Sequence, residues 1–222
     1  MDITDIKQSL STVISNHLEC QRCKIIDRNH ERAQRGYKCP SCGYISDGGL
    51  LYFSINTHIL IDLIQKSYHS VNLKSEVEKL YSGESTHDIA VIIFFCTLRE
   101  VLLDNVTNRL MEAQNLPKRV SERLLADNKF HIQKQDKLFR TLTGIKWTEA
   151  ISRLTDESKF NYKEIDEFVL NVAIARNSFI HKGIKWAIDR KMSTNCMKNI
   201  NGLIELHVAL HNTFVHPYYE NL

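Results

Sequence analysis

Two Cys-x-x-Cys pairs, Cys20/Cys23 and Cys39/Cys42, stand fifteen residues apart near the start of this 222-residue chain. Two residues between cysteines let both thiolates point at one ion from a tight turn. The intervening loop returns the second pair to complete a tetrahedron. The second pair reads Cys39-Pro40-Ser41-Cys42-Gly43-Tyr44, and a glycine after the last cysteine suits a left-handed turn. A stretch this small cannot hold itself together by burial. Zn2+, the natural occupant of four thiolates, is expected to supply the folding energy. Four protein ligands leave no open coordination position, so the expected role of the metal is structural.

The pattern resembles a zinc ribbon, a fold that binds nucleic acid or protein. Around and between its knuckles Arg22, Lys24, Arg28, Arg32, Arg35 and Lys38 face Asp27 and Glu31. That cationic excess suits phosphate contact or, equally, a solvated loop. The ligand reading assumes reduced cysteines, and the sequence is consistent with a reducing compartment. The first twenty residues carry Asp2, Asp5, Lys7 and Glu19 with no apolar stretch between them, so a secretory leader is not expected. The longest apolar run, Ile89 to Cys96, is far short of the ~20 residues that span a bilayer. A soluble, cytoplasmic protein with no membrane partner follows. Its net charge of +3 permits nucleic-acid contact without demanding it.

With 8 glycines and 3 prolines, the rest of the chain reads as helix after helix. Apolar residues recur with helical period over 2–18, 56–69, 74–81, 86–114, 117–127, 162–182 and 194–215. One or two further helices, broken at Gly144, fill 130–155. Thr86 or Asp88 suits the cap of the long helix, Pro117 a first-turn position, and Gly183 a helix stop. The predicted architecture is an all-α helical bundle over 50–222, preceded over 1–49 by a helix and a small four-cysteine zinc ribbon.

The run Arg176-Asn177-Ser178-Phe179-Ile180-His181-Lys182-Gly183 closes the apolar helix over 162–182. Imidazole exchanges protons near neutral pH, so His181 can take the proton of an RNA 2′-hydroxyl. Arg176 stays charged, and its planar fork matches two phosphate oxygens. Asn177 and His181 are four residues apart and share a helix face, where Asn177 could orient the imidazole or bind the phosphate. Arg176 and His181 lie ~140° apart around the helix axis. Lys182, Lys185, Arg190 and Lys191 add positive charge against Asp189. A bland alternative stands beside this: cations near a helix C-terminus also meet its free carbonyls favourably.

The string Arg-Asn-x3-His followed by Lys-Gly, in a bundle of this size, resembles the HEPN superfamily (higher eukaryotes and prokaryotes nucleotide-binding). The resemblance covers roughly residues 50–215. It implies an α-helical homodimer whose two motif helices face each other across a cleft. It further implies a metal-independent endoribonuclease acting as a toxin or antiviral effector, with RNA as substrate and an antitoxin or other regulatory protein as partner. The catalytic set would be Arg176, Asn177 and His181. A non-catalytic HEPN-like dimer that uses its ribbon to bind RNA or protein is the alternative, and a small zinc-dependent nucleic-acid-binding regulator is a third reading.

Other residues carry weaker expectations. Glu100 and Asp104, four apart on the long helix, place an acid where it could hold Arg176 or His181 from behind. His207 and His211 form a two-ligand face without a third ligand, and Cys96 and Cys196 read as core. No Gly-x-Gly-x2-Gly, P-loop or Gly-x-Ser-x-Gly pattern occurs, so nucleotide-dependent and serine-hydrolase chemistry find no support.

Overall fold

The longest apolar run of the sequence becomes the centre of the fold. In the computed structural model, which describes residues 17–28, 36–46, 50–70, 86–183 and 188–220, this run lies in a 28-residue helix, Thr86–Ala113. The helix, α2, packs against α1 (Ile55–His69), α7 (Tyr162–Lys182) and α8 (Arg190–Phe214). Val91, Ile92, Phe95, Leu98, Leu102, Leu103, Val106 and Leu110 are all buried within it, as expected for a helix apolar on most sides. Between α2 and α7 the chain forms α3 (Lys118–Asp127), a single turn α4 (His131–Gln133), a π-helical segment (Lys134–Phe139), α5 (Arg140–Thr143) and α6 (Trp147–Asp156). Phe139, at the end of the π segment, meets Trp147 and Phe214 edge-on at 5.2 and 5.3 Å, which fixes that segment to α6 and α8.

The helix boundaries follow local chemistry. Asn161 caps α7 by accepting from the Glu164 N–H at 3.3 Å. Gly183 ends the helix in the left-handed conformation, φ +64°, as the sequence predicts. Asp189 caps α8, accepting from the Met192 N–H at 2.7 Å, so that helix starts four residues before the expected 194. Its polar first turn, Arg190-Lys191, shows no apolar period that would betray it. Pro117 occupies the cap of α3 rather than its first turn. Asp88 is not spent as a cap contact. It is buried and accepts from Arg190 Nη1 at 3.0 Å and from the Ser193 hydroxyl, tying α2 to α8. Gly202 on α8 brings α7 close: a β-carbon there would fall 2.4 Å from Ile165 Cδ1.

The N-terminal strands differ from the helix expected over 2–18. Residues His17–Glu19 form β1, which pairs antiparallel with β2 (Ile26–Arg28) on one side and β5 (Leu50–Leu51) on the other. β3 (Tyr37–Lys38) and β4 (Ile45–Ser46) make a second hairpin. Tertiary pairing overrides the local period at 17–18; residues 2–16, and the short helix expected over 74–81, lie outside the described residues.

The strands are docked on the bundle by hydrogen bonds that read their backbone. Asn212 on α8 accepts from the Ile26 N–H at 2.8 Å and donates to the Ile26 carbonyl at 2.9 Å, completing the pairing a neighbouring strand would give. His211 bonds the Lys24 carbonyl at 2.8 Å and His216 bonds the Cys23 carbonyl at 2.6 Å. Glu205 takes an ion pair from Arg28 and a 3.1 Å contact from His17. Buried Glu19 meets Arg109 of α2 at 3.2 Å. Asn212→Ala deletes two of these bonds and leaves the Ile26 amide without its partner. The expected loss is about 2 kcal/mol, read as a fall of roughly 4–8 °C in the thermal midpoint. An unchanged melt would show that the strands do not depend on α8.

Candidate functional site

The two cysteine pairs adopt one conformation twice. In each, the residue after the second cysteine is left-handed, Lys24 at φ +60° and Gly43 at φ +71°. Each donates its N–H to the carbonyl of the first cysteine at 3.0 Å, Lys24 to Cys20 and Gly43 to Cys39. Cys20 and Cys39 donate in turn to the carbonyls of Ile25 and Tyr44 at 2.9 and 2.8 Å. The non-glycine Lys24 is held in its costly conformation with its carbonyl bonded to His211.

The four sulfurs lie within 4.8 Å of one another. Cys20 and Cys42 Sγ are 3.8 Å apart, Cys23 and Cys39 Sγ 3.5 Å. A tetrahedron with metal–sulfur bonds of ~2.3 Å has edges of about 3.8 Å, so the donor set fits one ion. Burial raises the Cys20 and Cys23 thiols, Cys23 to about 12, whereas at Cys39 the N–H groups of Cys42 and Ser41 and the neighbouring thiols outweigh burial and bring it down to about 7. A thiol poised this way gives up its proton readily to a metal. Of the ribbon cations, Arg28 and Lys24 are engaged in ion pairs with Glu205 and Glu19. Arg32 and Arg35 lie outside the described residues.

A cavity of about 460 Å³ opens between α2, α7 and the Lys129–Lys134 corner. Arg176, Asn177 and His181 all line it. The ~140° between Arg176 and His181 is accommodated because the cavity wraps the exposed side of α7. Arg176 lies at its inner edge, while Asn177 and His181 lie at its outer edge and are exposed. Arg176 Nη2 donates to Glu100 Oε1 at 2.6 Å, which places Glu100 behind the guanidinium. Arg176 Nε is buried and has no hydrogen-bond partner. The Cys96 thiol, raised to about 11 by burial, also lines the wall.

The charge of the cavity comes mainly from residues that the motif does not contain. Arg99, Lys129, Lys134 and Arg176 face it against Glu100 and Asp104. Lys134 is paired with Asp104. Arg99 is buried, and burial lowers it to about 10 despite the nearby charge of Asp166. Its Nη2 donates to Gln135 Oε1 at 3.3 Å; Gln135 Nε2 donates to Asp166 Oδ1 at 3.4 Å, and Trp147 Nε1 to Asp166 Oδ2 at 3.1 Å. This chain runs beneath the cavity floor through four elements.

Arg99, His131 and Lys134 escape sequence reasoning. Arg99 alone carried a signal: a charged residue between Phe95, Leu98 and Leu102 on a helix otherwise apolar on that face. By contrast, three cations expected to enrich the motif, Lys182, Arg190 and Lys191, are not among the residues that line the cavity. Arg190 stacks over Tyr68 at 3.7 Å and pairs with Asp88, and Lys185 lies outside the described residues. His207 and His211 do not form a metal face. His207 bonds the Leu203 carbonyl one turn back at 2.8 Å, and His211 docks the knuckle.

Compared with protein-family models, with curated proteins and with solved structures, the chain matches none. Among the described residues, no helix is long and apolar enough to cross a membrane.

Native mass spectrometry should find one metal ion per chain, lost in Cys39→Ser. Reloading with Co2+ should give the visible absorption of a tetrahedral thiolate site. Retention of the ion by Cys39→Ser would contradict a four-sulfur centre.

Proposed function

We propose that the chain is a HEPN-type endoribonuclease that cleaves RNA without a catalytic metal, stapled by a structural zinc ribbon. The observation that carries this reading is the convergence of Arg176, Asn177 and His181 on one cavity that has more cations than carboxylates. An anionic substrate is attracted there, and a base and a fixed cation stand ready on the same wall.

In the reaction, the His181 imidazole takes the proton of the ribose 2′-hydroxyl. The 2′-oxygen attacks the adjacent phosphorus, and the bond from phosphorus to the 5′-oxygen breaks. That oxygen leaves with a proton from solvent, giving a 2′,3′-cyclic phosphate and a 5′-hydroxyl. Arg176 binds the non-bridging oxygens as their charge grows. Glu100 holds the guanidinium in place by its 2.6 Å hydrogen bond. Asn177, four residues before His181, orients the imidazole or the phosphate.

The exposed face of α7 supports a homodimer. Leu170, Ile174, Asn177 and His181 recur at helical spacing along one stripe, all lining the cavity, and Leu170 and Ile174 are exposed. A second α7 laid across this stripe covers the apolar residues and brings two motifs to one cleft. The four-cysteine centre takes Zn2+ and contributes folding energy, not chemistry. A cytoplasmic toxin or antiviral effector, restrained by an antitoxin or other regulatory protein, is the setting that fits.

Purified protein should cleave total RNA in EDTA, at a level that leaves the cysteine centre loaded. His181→Ala and Arg176→Ala should each lower the rate by ~100-fold or more while the dimer persists in light scattering. Full cleavage by His181→Ala would remove the catalytic assignment. An inactive wild-type protein that still dimerises and binds RNA or protein would favour a non-catalytic module.

A further inference from the structure

The Lys129–Lys134 corner brings a second imidazole to the cavity. His131 lines the wall, and both of its ring nitrogens are shut off from water without a hydrogen-bond partner. So is Nε of Arg176, which lines the same cavity. An imidazole in protein normally satisfies at least one nitrogen, since an unpaired buried polar group is costly. Two residues that line one cavity thus carry donors the chain leaves unused, and a ligand entering the cavity meets them, once the side chains turn, as an acceptor of their hydrogen bonds.

The surrounding charge identifies its chemistry. Arg99 of α2, Lys134 of the π segment and Arg176 of α7 all bear electrostatically on His131, as does His207 of α8. Burial and these cations push the imidazole down to about 2, so the ring is neutral. Asp104 and Glu100, the carboxylates on the cavity wall, already have partners in Lys134 and Arg176. A neutral imidazole beside three cations is suited to an anion with several acceptor oxygens.

We propose that His131 is a substrate-binding residue of this cavity, donating a ring N–H to a phosphate oxygen that Arg176 and Lys134 also bind. A turn about its side-chain torsions presents one nitrogen to the bound anion. The π segment serves this arrangement. It follows directly on α4, is held from below where Arg99 bonds its Gln135, and sets Lys134 beside the His131 of α4 on the same cavity. Such segments recur at functional sites. Phosphate recognition stands on the cavity alone, whereas the assignment of that phosphate to RNA rests on the ribonuclease reading.

The test uses the full chain with its metal. Titrating inorganic phosphate into histidine-15N-labelled protein should shift the ring nitrogens of His131, as one of them becomes a hydrogen-bonded N–H donor of the neutral ring. Binding of a short single-stranded oligodeoxynucleotide, which lacks the 2′-hydroxyl and cannot be cut, should weaken about tenfold in His131→Ala. His131→Gln, which keeps a donor at similar reach, should recover most of it. Ring nitrogens unmoved by phosphate, with His131→Ala binding as tightly as wild type, would overturn the proposal even if RNA is cleaved. A phosphate-dependent shift in a protein that cleaves no RNA would keep the phosphate contact and remove the ribonuclease reading. The phosphate titration is read on wild-type protein and does not depend on a variant folding.

Discussion

A buried guanidinium has to be answered inside the protein, and Arg99 sets the terms for everything around the cavity. Left unpaired, a buried charge costs several kcal/mol. Its answer is spread over Gln135 from the π segment and the charge of Asp166 from α7, with Trp147 from α6 donating to the same carboxylate. Burial raises Asp166 above the usual carboxylate range, so the acid that answers Arg99 itself depends on its donors. No member of this chain can move without stranding another. The π segment is therefore locked, and with it the corner that carries His131 and Lys134. Phe139 adds the apolar half of the lock through Trp147 and Phe214.

The four-cysteine knuckles are tied to the same bundle by a different logic. α8 and the 3-10 turn His216–Tyr218 that follows it grip the backbone of the strands and knuckles and read few of their side chains. His216 takes the Cys23 carbonyl, His211 the Lys24 carbonyl, and Asn212 both polar groups of Ile26. Burial lowers His211 to about 4, and its ring is neutral, as a histidine wedged between Tyr52 and the knuckle must be. An ion held by the four sulfurs would be coupled to the bundle through chain conformation. It would fix the turn that Lys24 makes, while α8 fixes the carbonyl that this turn presents. α8 also packs on α7, where Gly202 permits the close approach.

Long periodic elements were legible because their apolar faces are local. The helices Ile55–His69, Thr86–Ala113 and Tyr162–Lys182 fall within a residue of the ranges their stripes predict, and Gly144 and Gly183 stop helices as their composition suggests. The three-residue strand His17–Glu19 was not legible, since partners 26–28 and 50–51 define it and its own sequence does not. The same divide runs through the site. Arg176, Asn177 and His181 sit within one helix and read as a string. Arg99, His131 and Lys134 come from two other segments, and only the folded chain assembles them. The knuckle spacing announces the sulfur centre, whereas the docking residues Glu205, Asn212 and His216 carry no motif at all.

The pair between Arg176 and Glu100 shows how stability and position separate in this cavity. Glu100 is half exposed, and an ion pair in that setting contributes at most about 1 kcal/mol to folding. Its worth lies in geometry. The carboxylate holds one Nη group and fixes the guanidinium at the cavity edge, with its Nε buried. On the proposed reading, fixing it in advance would remove the ordering cost that a long, mobile arginine otherwise brings to binding an anion. The carboxylate would also limit the cavity's net attraction, so that selectivity falls to groups that must hydrogen-bond in place. On this wall those groups are a guanidinium held by Glu100, an amide and an imidazole on α7, and the imidazole of the locked corner.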